Sequence, residues 1–147
     1  MVCLGNICRS PMAHGILLSE IDKRKLDWEV DSAGTSAFHQ GEAPDKRAIE
    51  TAITHEINIS NQKSRQLMSK DLKAYDVIIT MDTNNYNNTL NLAESQVEKD
   101  KVKLLLNYSH PGENRAVPDP YYSGGFDFVY ALIEEAVIAM VDLHTKK

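Results

Sequence analysis

The sequence predicts an α/β fold: an open, four-stranded parallel sheet with helices on both faces, doubly wound. Three observations predict it. Short β-rich runs alternate with stretches of helical periodicity along the chain. The run Asp76-Val77-Ile78-Ile79-Thr80-Met81 is rich in β-branched residues, as a strand covered on both faces must be. A strand-to-helix loop with unusual chemistry opens the chain. Strands separated by helices build right-handed βαβ units, and such sheets bind ligands at the carboxyl ends of their strands.

Taken in order, Val2 and Cys3 belong to the first strand, which feeds the loop and a helix. Ser10-Pro11 has the chemistry of an N-cap followed by proline at the first helical position. Met12, Ala13, Ile16, Leu17 and Ile21 then recur at helical spacing. Residues 28–32 alternate as a short strand that stops at Ala33-Gly34. Pro44 opens a second helix reaching about His55. Residues 76–81 form the third strand. A polar helix starts at about Thr83, and Tyr86 and Leu90, four apart, supply its single apolar stripe within an Asn-rich stretch. The charged run 94–103 reads as a solvated helix end and loop, and residues 102–106 as the fourth strand. Val129, Leu132, Ile133, Ala136, Val137, Met140 and Leu143 trace one face of a last helix. No repeat or linker interrupts the pattern, so residues 1–147 are expected to form a single domain.

Composition narrows the function. A chain of 147 residues buries about 68–70% of its unfolded surface, enough for one ordinary core. Lys and Arg number 16 against 21 Asp and Glu, a net charge of −5. That lacks the basic field which nucleic acid or an anionic membrane demands. The longest apolar run, residues 136–141, falls far short of the ~20 residues of a spanning helix. No apolar region follows Arg9 as a signal peptide requires. Two cysteines make no disulfide scaffold, and five scattered histidines show no paired ligand spacing. A cytoplasmic, monomeric enzyme without metal or cofactor, and without nucleic-acid or membrane partners, is the expectation.

The loop Cys3-Leu4-Gly5-Asn6-Ile7-Cys8-Arg9-Ser10-Pro11 carries the chemistry. Gly5 and Asn6 are residue types that tolerate left-handed backbone, so consecutive N–H groups can converge on one anion. The helix N-terminus adds partial positive charge and free donors. Arg9 supplies a planar fork matched to two phosphate oxygens. Such a field stabilises a sulfur anion, so a phosphoryl group would sit directly over a nucleophile, Cys3. A nucleotide P-loop is excluded because no Lys-Ser/Thr pair closes the loop. A thioredoxin-like motif is excluded because the cysteines lie five apart.

On these residues, together with Asp31-Ser32-Ala33-Gly34-Thr35-Ser36 and Val117-Pro118-Asp119-Pro120-Tyr121-Tyr122, the chain resembles the low-molecular-weight protein tyrosine phosphatases. Weaker echoes are Gly41 with Pro44-Asp45, Ser64-Arg65-Gln66-Leu67, and Met81-Asp82. The resemblance implies hydrolysis of phosphotyrosine in proteins, and of aryl phosphates, through a phosphocysteine on Cys3. It implies Arg9 as phosphate clamp and Asp119 as general acid and then base. It implies that phosphate-like anions sit in the loop formed by Leu4, Gly5, Asn6, Ile7, Cys8 and Ser10. Ser10 would stabilise the leaving thiolate, and Ser32 would support Asn6. Family members usually carry a His ahead of the Arg-Gln pair to help hold this Asn; Gln62 stands there in this chain. Leu4, Phe38, Tyr121 and Tyr122 would wall the aryl pocket, with packing in a turn the plainer role for the two tyrosines. Cys8 would either trap Cys3 as a reversible disulfide or serve as a small apolar residue. The resemblance also implies a first strand of about five or six residues. Only Met1 and Val2 precede Cys3, so a truncated first strand and a native start upstream are expected.

Two rivals share the scaffold. Thioredoxin-coupled arsenate reduction needs further cysteines after the third strand, and residues 81–100 contain none. In protein-arginine phosphatases the position of Ile7 is typically a Thr that orients water, so a bulky Ile favours a flat aryl substrate. A phosphate-binding module without catalysis keeps Arg9 but has no need of Cys3 and Asp119 together.

Overall fold

The structure, a computed structural model, describes residues 1–146. Four strands form the sheet: β1 (Val2–Cys3), β2 (Ala33–Gly34), β3 (Ile78–Thr80) and β4 (Val102–Leu104). All pair in parallel, in the order β2-β1-β3-β4. The helices are α1 (Arg9–Arg24), α2 (Lys46–Ile53), α3 (Asp71–Ala74), α4 (Thr83–Leu90), α5 (Gln96–Asp100), α6 (Pro120–Ser123) and α7 (Phe126–Thr145).

Strand alternation divides the apolar residues between two faces. Cys3 and Ile79 point to the side covered by α1, α2 and α7, where Met12, Ile16, Ile133, Val137 and Val141 complete the larger core. Val2, Ile78 and Val102 point to the other side, where Leu67 and Leu72 pack with Tyr86 and Leu90 of α4. Gly15 lets α1 approach the loop after α2, since a Cβ there would stand 2.5 Å from Ile59 Cγ2. The asparagines of α4 are accommodated because Asp82 caps the helix, accepting from Asn85 N–H at 2.8 Å. Such a cap contributes about 1 kcal/mol.

The structure corrects several expected boundaries. Residues 28–32 are not a paired strand; β2 begins where that strand was expected to stop. The register explains this. Val2 lies opposite Ala33 and Thr80, so neighbours for residues 28–31 would fall before Met1. A groove of about 700 Å³ stands in line with β1 there, between residues 27–32 and 74–79. The fourth strand ends at Leu104, and Leu105–Asn107 tighten into a 3-10 turn. The charged run holds a helix, α5, capped by Ser95, whose Glu98 is buried rather than solvated. Helix α2 begins at Lys46, after an Asp45 cap, and Leu143 of α7 turns to solvent, 59% exposed.

Candidate active site

The carboxyl end of β1 passes directly into the loop before α1. Asn6 takes the left-handed conformation, φ 57°, which a β-carbon normally disfavours by about 1–2 kcal/mol. Its side chain offsets that strain with three bonds. Nδ2 donates to Ser10 Oγ at 2.7 Å and Ser32 Oγ at 3.1 Å, and Oδ1 accepts from Arg65 N–H at 3.1 Å. The loop carbonyls are held outward one by one. Cys3 O accepts from Thr35 N–H, Leu4 O from Ser36 N–H, Gly5 O from the Ser64 hydroxyl, and Ile7 O from Asp45 N–H. With the oxygens turned away, the N–H groups of Gly5, Ile7 and Cys8 have no protein acceptor among the described residues. Gly34 makes this possible: a Cβ at that position would meet Leu4 O at 2.8 Å.

Cys3 Sγ lies at the bottom, 3% exposed, receiving Asn6 N–H at 3.2 Å and standing 3.1 Å from Ser10 Oγ. Ser10 is not the helix cap. Helix α1 starts at Arg9, two residues before the expected Pro11, capped by Cys8 without any side-chain bond. The Ser10 hydroxyl is thereby left for the sulfur and Asn6, and the first N–H groups of the helix stay unclaimed by a cap.

Arg9 is 2% exposed and held from two sides. Nη1 donates to Asp82 Oδ2 at 2.7 Å and to Val117 O at 2.9 Å. Nη2 stands 3.5 Å from Asp119 Oδ2. The residues expected as nucleophile, clamp and acid therefore meet around one cavity of about 290 Å³, although Asp119 comes from far along the chain. Asp119 also caps the short helix α6, taking Tyr121 N–H at 3.1 Å on Oδ1, with Pro120 at the first helical position.

Leu4, Phe38, Tyr121 and Tyr122 all line the mouth. Phe38 and Tyr122 are 83% and 86% exposed, so neither is a packing residue. Tyr121 sits edge-on to Tyr122, with ring centres 4.9 Å apart. Cys8 is in the cavity wall as a free thiol. Burial, reinforced by the Asp45 carboxylate, pushes its pKa far up, so it stays protonated. Ser32 supports Asn6 from the entrance to β2. Among the described residues no three His, Cys, Asp or Glu side chains converge as metal ligands would. No described helix is long and apolar enough to cross a membrane.

Several functional contacts lay outside the expected set. Asp82 fixes the Arg9 fork; its signal was its place at the carboxyl end of β3. Arg47 braces the acid segment, donating to Tyr121 O at 3.1 Å and to Asp45, with its guanidinium 4.7 Å from the centre of the Phe126 ring. His39, bonded to Glu42 at 2.8 Å, lines the mouth beside Gly5. Gln62 does not reach Asn6; its Nε2 donates to Pro11 O at 3.0 Å. The imidazole that stands behind the loop is His14 of α1, 3.2 Å from Ser32 Oγ.

Comparison with known proteins identifies the family and fold. The family model described as low molecular weight phosphotyrosine protein phosphatase matches residues 1–147. A low molecular weight phosphotyrosine protein phosphatase of Schizosaccharomyces pombe is 40% identical, covering 86% of this chain and 82% of its own. The crystal structure of DARP, a Drosophila arginine phosphatase, superposes with a TM-score of 0.92 at 32% identity, over 99% of this chain and 96% of that one. Wzb of Vibrio vulnificus, solved in complex with benzylphosphonate, gives 0.85 at 30% identity, over 97% and 94%. Fold and sequence agree, and the chain belongs to the low molecular weight phosphotyrosine protein phosphatase family, enzymes of the hydrolase class.

Proposed function

We propose that this chain, acting as one domain over residues 1–147, hydrolyses phosphotyrosine in proteins, and simple aryl phosphates, in two steps through Cys3. The Cys3 sulfur anion attacks phosphorus in line; the S–P bond forms as the bond to the aryl oxygen breaks. The Asp119 carboxyl gives its proton to the departing phenolate. Asp119, now a carboxylate, takes a proton from water while the water oxygen attacks phosphorus. The S–P bond breaks, and the sulfur leaves as an anion steadied by Ser10 O–H and Asn6 N–H. Arg9 and the free loop N–H groups hold the equatorial oxygens, where charge builds up.

One observation carries this reading. A sulfur with two hydrogen-bond partners lies under unpaired N–H groups, at a mouth where Arg9 and Asp119 stand 3.5 Å apart. Leu4, Phe38, Tyr121 and Tyr122 offer flat apolar walls to an aryl ring, the chemistry shared by phosphotyrosine and the benzylphosphonate bound by the Vibrio relative. Likeness to the Drosophila arginine phosphatase favours phosphoarginine as a second reading. Ile7, buried in the loop and without a hydroxyl to direct water, argues against it.

The test is p-nitrophenyl phosphate turnover in the presence of a chelator, followed by phosphotyrosine and phosphoarginine peptides in parallel. Wild type should hydrolyse the aryl ester best below neutral pH, and Cys3→Ser should lower turnover by about 10⁴-fold or more. A Cys3→Ser enzyme with most of its activity sinks the proposal. Preference for the phosphoarginine peptide would transfer it to the second reading.

A further inference from the structure

The polar network behind the anion loop ends on a side chain that the two-step scheme leaves unused. His14, in the second turn of α1, places Nδ1 3.2 Å from Ser32 Oγ. With the Cys3 sulfur taken as an anion, as the proposed mechanism requires, one set of donor directions satisfies the network. The Asn6 amide has two N–H bonds, one to Ser10 Oγ and one to Ser32 Oγ. Each hydroxyl accepts from Asn6 and keeps one proton to donate. Ser10 directs its proton to the Cys3 sulfur. Ser32, 6% exposed, has only Asn6 Nδ2 and His14 Nδ1 as side-chain partners among the described residues, so Nδ1 is the one acceptor its proton can reach. The ring is then bare at Nδ1 and protonated at Nε2. Gln62 suits that tautomer. Its Oε1 is buried with no hydrogen-bond partner among the described residues, an unused acceptor in the surroundings of the ring.

We propose that His14 is a positioning residue: as a neutral imidazole it accepts the Ser32 hydroxyl proton, which holds Ser32 as an acceptor for Asn6 and Ser10 against the sulfur. Protonation would make Nδ1 a donor and leave the Ser32 proton without a partner. Burial opposes that charge, and so does the nearby amino terminus of Met1 at the head of β1; Asp31, at the entrance to β2, favours it. Gln62, from the loop after α2, completes the surroundings. The role rests on Cys3 being the nucleophile, which the Cys3→Ser comparison tests by itself.

Two substitutions separate acceptor from bulk. His14→Asn keeps an acceptor oxygen near the position of Nδ1, whereas His14→Leu keeps volume alone. His14→Leu should lower kcat about tenfold, with a smaller change in KM, as expected for one buried hydrogen bond. It should also move the pH profile of Cys3 alkylation by iodoacetamide upward. His14→Asn should stay within about threefold of wild type and keep the profile. Equal losses in both variants, or an unchanged His14→Leu enzyme, would overturn the role while leaving Cys3 chemistry intact. If His14→Leu fails to fold, ¹⁵N NMR of the wild-type ring decides. A neutral Nε2–H tautomer at pH 7 supports the role, and an imidazolium or an Nδ1–H tautomer overturns it.

Discussion

The loop of residues 3–10 and the segment 117–123 face each other across one cavity, yet they are built in opposite ways. In the loop, Cys3, Asn6, Ile7, Cys8, Arg9 and Ser10 are all buried. The carbonyls of Cys3, Leu4, Gly5 and Ile7 and the side chains of Asn6, Arg9 and Ser10 are tied to the scaffold, which leaves the N–H groups of Gly5, Ile7 and Cys8 free among the described residues. The acid segment is anchored at its start, where Val117 N–H bonds to Met81 O and Val117 O accepts from Arg9. Beyond that point only Pro120 is buried; Asp119 is half-buried, and Pro118, Tyr121, Tyr122 and Ser123 are exposed. The segment rests on Arg47 and the short α6, and it ends at Gly124 and Gly125, both with positive φ and open space around them. Under the proposed mechanism the difference suits the two tasks. Electrostatic stabilisation of a transferring phosphoryl group requires donors already in place, while the proton donor must stand aside for a ring to enter and leave.

Four substitutions or conditions would break or sharpen this contrast, the strongest first. Arg9→Lys removes the fork held by Asp82 and Val117 and should lower kcat/KM by about 10³-fold, the scale of losing a buried charged pair. A modest loss in steady-state kinetics would mean that the loop amides bind the anion without it. Asp119→Asn retains the cap on α6 but has no proton to give. It should lower kcat by about 10²–10³-fold with an unchanged melting temperature, and a large drop in melting temperature would show that the segment depends on the carboxylate for its shape. Gly34→Ala forces a Cβ against Leu4 O and acts on the rigid side. It should cost about 1–3 kcal/mol of stability, read by denaturant unfolding, together with several-fold of activity; unchanged values would show that the loop is more compliant than its bonding suggests.

The smallest effect concerns pH. Burial, then the amino terminus, lowers the pKa of His14 in the folded state. The unfolded chain therefore binds more protons than the folded one between that lowered value and the ordinary value of about 6.5. This contribution to stability is complete above about pH 6.5 and is lost as pH falls through the folded value. Melting temperatures from pH 7.5 to 5.5 should decline more steeply in wild type than in His14→Asn. Coincident slopes would remove the titration of His14 from the account.

Much of the fold and site was legible in residue order. Helices α1 and α7 and the strand around Ile79 follow from periodicity, and the anion loop follows from Gly5, Asn6 and Arg9 at the start of a helix. The misses have physical causes. Residues 28–32 alternate as a strand should, but alternation describes a face and not the presence of a partner, and the register provides none. Ser10-Pro11 reads as a cap because the local signal is the same whether the hydroxyl serves a backbone N–H or a sulfur. Arg47 and His14 carry no local mark, since their partners Tyr121 and Ser32 lie 74 and 18 residues away, and Asp82 shows only through its place at the end of β3.

What the sequence by itself determined is the inventory and the local shape: a cysteine, a guanidinium and small residues packed into one turn, with a carboxylic acid between prolines near the other end. Those properties depend on neighbours in the chain, so they can be read there. Only the tertiary structure decided that Asp119 comes to Arg9, that Asp82 and Val117 set the fork, and that a histidine in α1 stands behind Ser32. Parallel strands joined by crossovers bring their carboxyl ends together, and this convergence arises from sheet order and packing, which no short stretch of sequence contains.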